Sequence, residues 1–82
     1  MTKKTAADVE RWLAGLVGEL IGVPAETIDV GARFDRYGLD SAAAISVTVE
    51  LEKYLGRELE PTLLYEYPTI AKLARHLVAE AP

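Results

Sequence analysis

Apolar residues along the first quarter of the chain fall at Val9, Trp12, Leu13, Leu16, Val17, Leu20 and Ile21. This three-four alternation lays one continuous stripe down a helix. Thr5 stands where an N-cap is needed, with Asp8 three residues on, and Gly22 followed by Pro24 supplies the stop. Gly15 and Gly18 each cost about 1 kcal/mol of helix propensity relative to alanine. Neither falls on the stripe, so the pattern gives no reason for them. A second helical run extends from Asp40-Ser41 to Leu55 and closes at Gly56. Its expected inward line is Ala44, Ile45, Thr48, Leu51 and Leu55, flanked by Val47, and its opposite stripe is Ala42, Ser46, Val49 and Lys53. After Pro61, the segment Thr62 to Tyr67 predicts one short helix stopped by Pro68. Thr69 then caps a last helix that turns Ile70, Leu73, Ala74, Leu77 and Val78 inward.

Between the first two helices, Gly22 to Leu39 is eighteen residues without sustained periodicity. Unstructured connections beyond roughly 12 to 15 residues are uncommon in compact domains, so this one is expected to pack. Pro24 can open a single helical turn through Ile28. Ile28, Val30, Phe34 and Leu39 are spaced as apolar anchors, and Gly31 and Gly38 as turns. No strand pattern, repeat or low-complexity segment interrupts the series. The expected fold is all-α, a four-helix bundle with a long first loop and a short third helix.

Half of the 82 residues are hydrophobic and 27% are charged, which excludes a disordered chain. The length predicts a single domain over residues 1–82, with its core over about 6–79. A domain of this size buries little more than roughly 60% of its unfolded surface, which leaves little to line a deep cleft and argues against a self-sufficient enzyme. No apolar run approaches the roughly 18 to 20 residues of a membrane span, and the opening Met1 to Ala6 leads into an amphipathic segment rather than a signal-peptide core. A soluble, cytoplasmic monomer is expected. Met1 suits a natural or an engineered start, and Ala79-Glu80-Ala81-Pro82 reads equally well as a tail or a linker.

The net charge of -4 disfavours nucleic acid or an anionic membrane as the partner. Between Tyr37 and Glu66 lie six acids and two bases, whereas the rest of the chain balances seven against seven. The middle of the chain therefore carries the whole imbalance, as it would if a basic partner docked there. The absence of cysteine removes disulfides, thiolate metal sites and any thiol made by the chain itself.

Candidate chemistry is sparse. His76, the single histidine, lies four residues after Lys72 on the polar side of the last helix, where its expected role is surface solvation. Gly38-Leu39-Asp40-Ser41-Ala42 lacks the G-x-S-x-G spacing of a nucleophile elbow, and a minimal serine hydrolase would need Ser41 and His76 to meet. Glu50 with Glu52, and Glu58 with Glu60, are two apart and point different ways on a helix, so they make no two-carboxylate site. Metal binding lacks the histidine or cysteine clusters it needs. Asp40 alone reads as an N-cap, with Ser41 as the first helical residue. A hydroxyl in the first turn of a helix, after an anchored loop, is nevertheless open to a modifying enzyme, and the helix end favours a phosphate there.

The segment Phe34-Asp35-Arg36-Tyr37-Gly38-Leu39-Asp40-Ser41 resembles the F-x-x-x-G-x-D-S motif of the acyl and peptidyl carrier proteins. The likeness continues through Val49-Glu50-Leu51-Glu52, through Tyr65-Glu66-Tyr67-Pro68-Thr69-Ile70, and through Leu73-Ala74, and it covers Val9 to Val78. It implies that Ser41, beside Asp40, accepts 4′-phosphopantetheine from coenzyme A through a separate phosphopantetheinyl transferase, whose metal ion supplies the activation. The thiol then arrives on a flexible arm, which accounts for the missing cysteine. The resemblance further implies a shuttle rather than a catalyst, holding fatty-acyl or polyketide intermediates as thioesters and visiting a loading enzyme, a ketosynthase and other acyl-processing enzymes. The implied docking face comprises Ala42, Ser46, Val49, Glu50 and Lys53, with Leu64 on the third helix, and Glu50 and Glu52 steer encounter.

Two positions depart from the family pattern. Ala42-Ala43-Ala44 follows the serine where many members place Leu or Met, and Ser46 stands where strongly acidic fatty-acid carriers often place a carboxylate. The run Leu39 to Ala44, together with Pro61 to Ile70, is similar to polyketide-type carriers that work beside fatty-acyl-AMP ligases. A peptidyl carrier remains an alternative within the class. A cofactor-free helical module that docks a partner helix through Val49 is the alternative outside it.

Overall fold

A computed structural model describes residues 4–80; Met1, Ala81 and Pro82, on which the readings of the two termini bear, lie outside them. Four α-helices form among the described residues: α1 (Ala6–Ile21), α2 (Ser41–Leu55), α3 (Leu63–Glu66) and α4 (Ile70–Glu80). This is the expected all-α bundle with a long first loop and a short third helix.

The first helix begins as its sequence predicts. Thr5 is extended and its hydroxyl accepts the Asp8 N–H at 3.1 Å, while the Asp8 carboxylate accepts the Thr5 N–H at 2.9 Å. This reciprocal box satisfies two donors that the helix would otherwise leave open. The Thr5 hydrogen bonds, with Arg11 beside them, hold the Asp8 carboxyl below its ordinary 3.8. The stabilisation from the box is therefore complete above that ordinary value and is lost as the pH falls through the lowered one. At the other end, Gly22 adopts the left-handed conformation, φ 78°, and the Gly18 carbonyl accepts the N–H groups of Gly22 and Val23 at 2.8 and 2.9 Å. Gly18 is required by that turn: a Cβ there would stand 2.6 Å from the Val23 carbonyl oxygen. Nothing comparable lies over Gly15, for which the fold supplies no packing reason.

α1 packs chiefly against α4, and α2 lies against α1 and α3. The fully buried centre is Val9, Leu13 and Val17 of α1, Val47 and Leu51 of α2, and Ile70, Leu73 and Leu77 of α4. Burying each such side chain contributes about 1.5 to 3 kcal/mol. Trp12 stacks on Tyr54 with ring centroids 4.3 Å apart, which joins α1 to the far end of α2. The Thr48 hydroxyl, buried in α2, donates to the Ala44 carbonyl at 2.9 Å, so it carries no unpaired polar cost.

Two expected core positions lie outside. Leu20 is 45% exposed. Around the helix it lies only about 20° from Val9 and Leu13, but it belongs to the last turn of α1, where the buried positions are Val17 and Gly18, about 60° and 160° farther round. Ile45 is 56% exposed because it sits about 100° around the helix from Ala44 and only about 40° from Val49. It belongs to the outer stripe, not the inner one. His76 also departs from expectation: it is half-buried and stacked on Tyr67, centroids 3.9 Å apart, rather than only solvating the surface.

The long loop packs, as its length demanded. Pro24 precedes a 3-10 turn at Ala25–Thr27, and a second turn, Phe34–Tyr37, ends at Gly38 with φ 72°. Gly31 keeps an ordinary φ, its N–H donating to the Asp29 carboxylate at 2.9 Å. Ile28 and Phe34 are core residues, with Val30 and Leu39 packed against them. Backbone bonds then stitch the loop to the start of α4. The Phe34 N–H donates to the Pro68 carbonyl at 2.8 Å, the Ala71 N–H donates to the Val30 carbonyl at 2.9 Å, and Arg33 and Thr69 form an isolated antiparallel bridge. The Tyr37 hydroxyl accepts the Asp29 N–H and donates to the Asp29 carbonyl, at 2.8 and 2.7 Å. The loop is thereby fixed immediately before the residue that opens α2.

Candidate functional site

Asp40 ends the loop in an extended conformation, and its carboxylate accepts the Ala43 N–H at 2.9 Å. This cap makes Ser41 the first residue of a fifteen-residue helix, with its side chain exposed. Thr69 performs the same service for α4, its hydroxyl accepting the Lys72 N–H at 3.1 Å. Beside Ser41 opens a cavity of about 330 Å³, with walls that include Phe34, Leu39, Ala44, Leu64 and Pro68 and a rim that includes Arg33, Asp35 and Tyr65. The Tyr65 hydroxyl, on α3, is aimed at the Ser41 hydroxyl oxygen from 3.5 Å. At that separation the bond is slack, since O–H···O bonds ordinarily close to about 2.7 to 2.8 Å.

Among the described residues no imidazole lines the cavity beside this serine; its titratable carboxylates are Asp35 and Asp40. His76 lies in another depression with Glu66, Tyr67, Lys72 and Arg75, and it does not line the cavity beside Ser41. Nor do the described residues gather a cluster of carboxylates and imidazole able to hold a metal. The arrangement presents an exposed hydroxyl at the start of α2.

The residues fit a phosphopantetheine group. The Ser41 hydroxyl is exposed, it stands at the positive end of a helix where a phosphate monoanion is favoured, and an apolar-walled depression lies alongside. Asp40 shapes the turn that presents the hydroxyl.

The other sequence-predicted residues divide. Ala42, Ser46, Val49, Glu50 and Lys53 all face outward on α2, Val49 at 42% exposure, and the Lys53 ammonium pairs with Glu50 at 3.6 Å. Leu64 does not share that exposure. It is 4% exposed and belongs to the core, reaching the surface only as a wall of the cavity. On a helix of a single turn one side must face the bundle, and Leu63 and Leu64 take it while Tyr65 is left outside at 66% exposure. Glu52, expected as a steering charge, has a structural contact of its own: its carboxylate accepts the Leu59 N–H at 2.9 Å and holds the loop after α2. Sequence reasoning missed Ile45 and Tyr65 as outward apolar surface. The angular position of Ile45 beside Val49 was the available signal for the first, whereas nothing local indicated that Tyr65 would meet Ser41.

Residues 11–77 match the family model described as the phosphopantetheine attachment site. The chain belongs to the phosphopantetheine carrier family. This carrier is similar to a free-standing peptidyl carrier protein from an Acinetobacter baumannii secondary metabolic pathway, with 46% identity, a TM-score of 0.89, and 95% of this chain and 98% of that one covered. It is also similar to an acyl carrier protein from Anabaena with a variant phosphopantetheinylation-site sequence, at 37% identity and a TM-score of 0.87, covering 96% of this chain and 90% of that one. Among curated proteins it is 41% identical over 68 residues to the polyketide synthase PksM of Bacillus subtilis, a match that takes in 83% of this chain and 2% of that synthase. The carrier thus spans about one-fiftieth of the length of such a synthase. It bears 4′-phosphopantetheine covalently and carries acyl or peptidyl groups on it, as a member of a family without catalytic activity of its own. Carrier domains of polyketide synthases work with ketosynthases and other acyl-processing enzymes. No helix among the described residues is long and apolar enough to cross a membrane.

Proposed function

We propose that Ser41 is the residue that takes the phosphopantetheine arm, and that residues 6–79 form the core of one carrier domain that acts as shuttle and not as enzyme. The observation that carries this reading is the exposed Ser41 hydroxyl at the capped start of α2, held there by a loop stitched to α4. A phosphopantetheinyl transferase with coenzyme A supplies the group. The Ser41 oxygen forms the new phosphoester to the pantetheine-side phosphorus, the pyrophosphate bond of coenzyme A breaks with adenosine 3′,5′-bisphosphate as the leaving group, and the hydroxyl proton leaves to the transferase. This chain contributes position alone. When attached, the arm supplies a thiol for thioester chemistry.

The chain carries two serines, and fragmentation mass spectrometry after loading separates them. The added mass is expected on Ser41; finding it on Ser46 instead would overturn the assignment. For the cargo, similarity to a polyketide synthase segment supports polyketide or fatty-acyl intermediates, delivered by a fatty-acyl-AMP ligase and received by a ketosynthase. The peptidyl carrier neighbour, at higher identity, supports an aminoacyl cargo as the second reading. Loading assays with fatty acids against amino acids separate the two. A cytoplasmic, monomeric carrier suits either, with no nucleic acid or membrane partner for so acidic a chain.

Ala42, Ser46, Val49, Glu50 and Lys53 form the proposed docking face, joined by Ile45. Val49→Asp should impair loading by the partner enzyme while leaving helix content and melting temperature nearly unchanged, because Val49 points to solvent. An unpaired charge in a small contact patch must be desolvated on docking, at a cost of several kcal/mol. Glu50→Gln should instead slow association mainly at low salt, since rim charges steer encounter. Steady-state loading at two salt concentrations checks both, and unchanged loading by Val49→Asp would place the interface elsewhere.

A further inference from the structure

The Tyr65 hydroxyl is directed at Ser41 from 3.5 Å, too far for a well-formed bond to the serine oxygen, although the ring is free enough of the core to remain 66% exposed. The two residues are 24 positions apart, so the approach is a product of the fold and not of local sequence. Once Ser41 carries a phosphodiester, the best acceptor is no longer the serine oxygen. The anionic, non-bridging oxygens stand one phosphorus farther out, and a hydrogen bond to such an oxygen is shorter and about twice as strong as a neutral one. We infer that Tyr65 is a positioning residue for the attached arm, its hydroxyl donating to the phosphodiester on Ser41 and holding the arm's first segment over the cavity between the loop and α3.

Around that cavity the side-chain donors other than Ser41 itself are Tyr65 and Arg33. The Arg33 Nε is directed to the Asp35 carboxylate at 3.3 Å, and the Asp40 carboxylate already accepts from the backbone. Both carboxylates repel a phosphate. Tyr65, on the opposite side, offers an uncharged donor that is directed at Ser41 and not at either carboxylate, so the arm is biased toward the α3 side of Ser41. The inference rests on Ser41 as the attachment residue.

The test uses holo protein prepared with coenzyme A and a phosphopantetheinyl transferase, checked first by mass for an arm on Ser41. Tyr65→Phe keeps the exposed ring and removes only the hydroxyl, so folding is retained. Its phosphodiester is expected to show a shifted phosphorus NMR resonance and a narrower line than wild type. In wild type, the Tyr65 Cζ resonance should move between apo and holo protein. Tyr54→Phe, about 20 Å along α2 from Ser41, should alter neither signal. With the arm confirmed on Ser41, an unchanged phosphorus resonance in Tyr65→Phe overturns the inference and leaves the attachment site standing. A shift produced by Arg33→Gln and not by Tyr65→Phe assigns the donor to the guanidinium and also overturns it. An arm found away from Ser41 removes both readings together.

Discussion

Replacing Ser41 by alanine is expected to abolish uptake of the phosphopantetheine arm while changing folding stability by no more than about 1 kcal/mol. The two halves follow from different atoms. The cap of α2 is the Asp40 carboxylate on the Ala43 N–H, which the substitution leaves in place. The side chain lost is exposed, and its contact with Tyr65 is slack, so little packing goes with it. Alanine is moreover the best of helix formers. Intact mass after incubation with transferase and coenzyme A reads the first half, and a denaturant melt the second. Uptake by the variant would sink the attachment assignment. Loss of the fold would show instead that the serine hydroxyl does structural work that the Asp40 cap cannot cover.

Most of the frame was legible in the chain because its signals are local. Thr5 with Asp8, Asp40 before Ser41, and Thr69 before Ile70 each mark a helix start through a side chain that reaches only three residues ahead. Gly22 and Gly56 end helices for a similarly local reason, both having the positive φ that a left-handed cap requires. What escaped depends on which other element covers a face. Ile45 sits on the shoulder of its apolar arc and Leu20 in the last turn of its own, and periodicity cannot say how far the other helices extend over either. Leu64 and Tyr65 show the same limit on a smaller scale: a one-turn helix has no repeat from which to tell inside from outside.

The site was legible to a different depth. Ser41 could be singled out from its turn, its helix start and the motif around it. The cavity beside it could not, because Phe34 and Leu39 come from one stretch of chain and Leu64 and Pro68 from another, and the two meet only through long-range packing. The bridge between Arg33 and Thr69 escaped for the same reason, as a single pairing leaves no alternation in either segment. Gly18 is the reverse case: a local oddity in the sequence explained by the close passage of the Val23 carbonyl.

The fixed loop also sets the largest expected effect on stability. Phe34→Ala should cost about 3 to 5 kcal/mol, since the ring is 6% exposed and packs in the central cluster. Small domains hold a total near the low end of about 5 to 15 kcal/mol, so one substitution removes much of the margin. Its backbone bond to Pro68 remains possible in the variant, as do the Val30 and Tyr37 bonds, which separates side-chain burial from the stitching. If burial is what pins the loop, Phe34→Ala will lower the denaturant midpoint steeply and slow transferase uptake in step with the unfolded fraction. Phe34→Leu, which restores most of the apolar volume, should recover most of both losses. A cost below about 1 kcal/mol for Phe34→Ala would mean that the backbone bonds alone hold Ser41 in place, and that the ring is a passenger in the wall of the cavity.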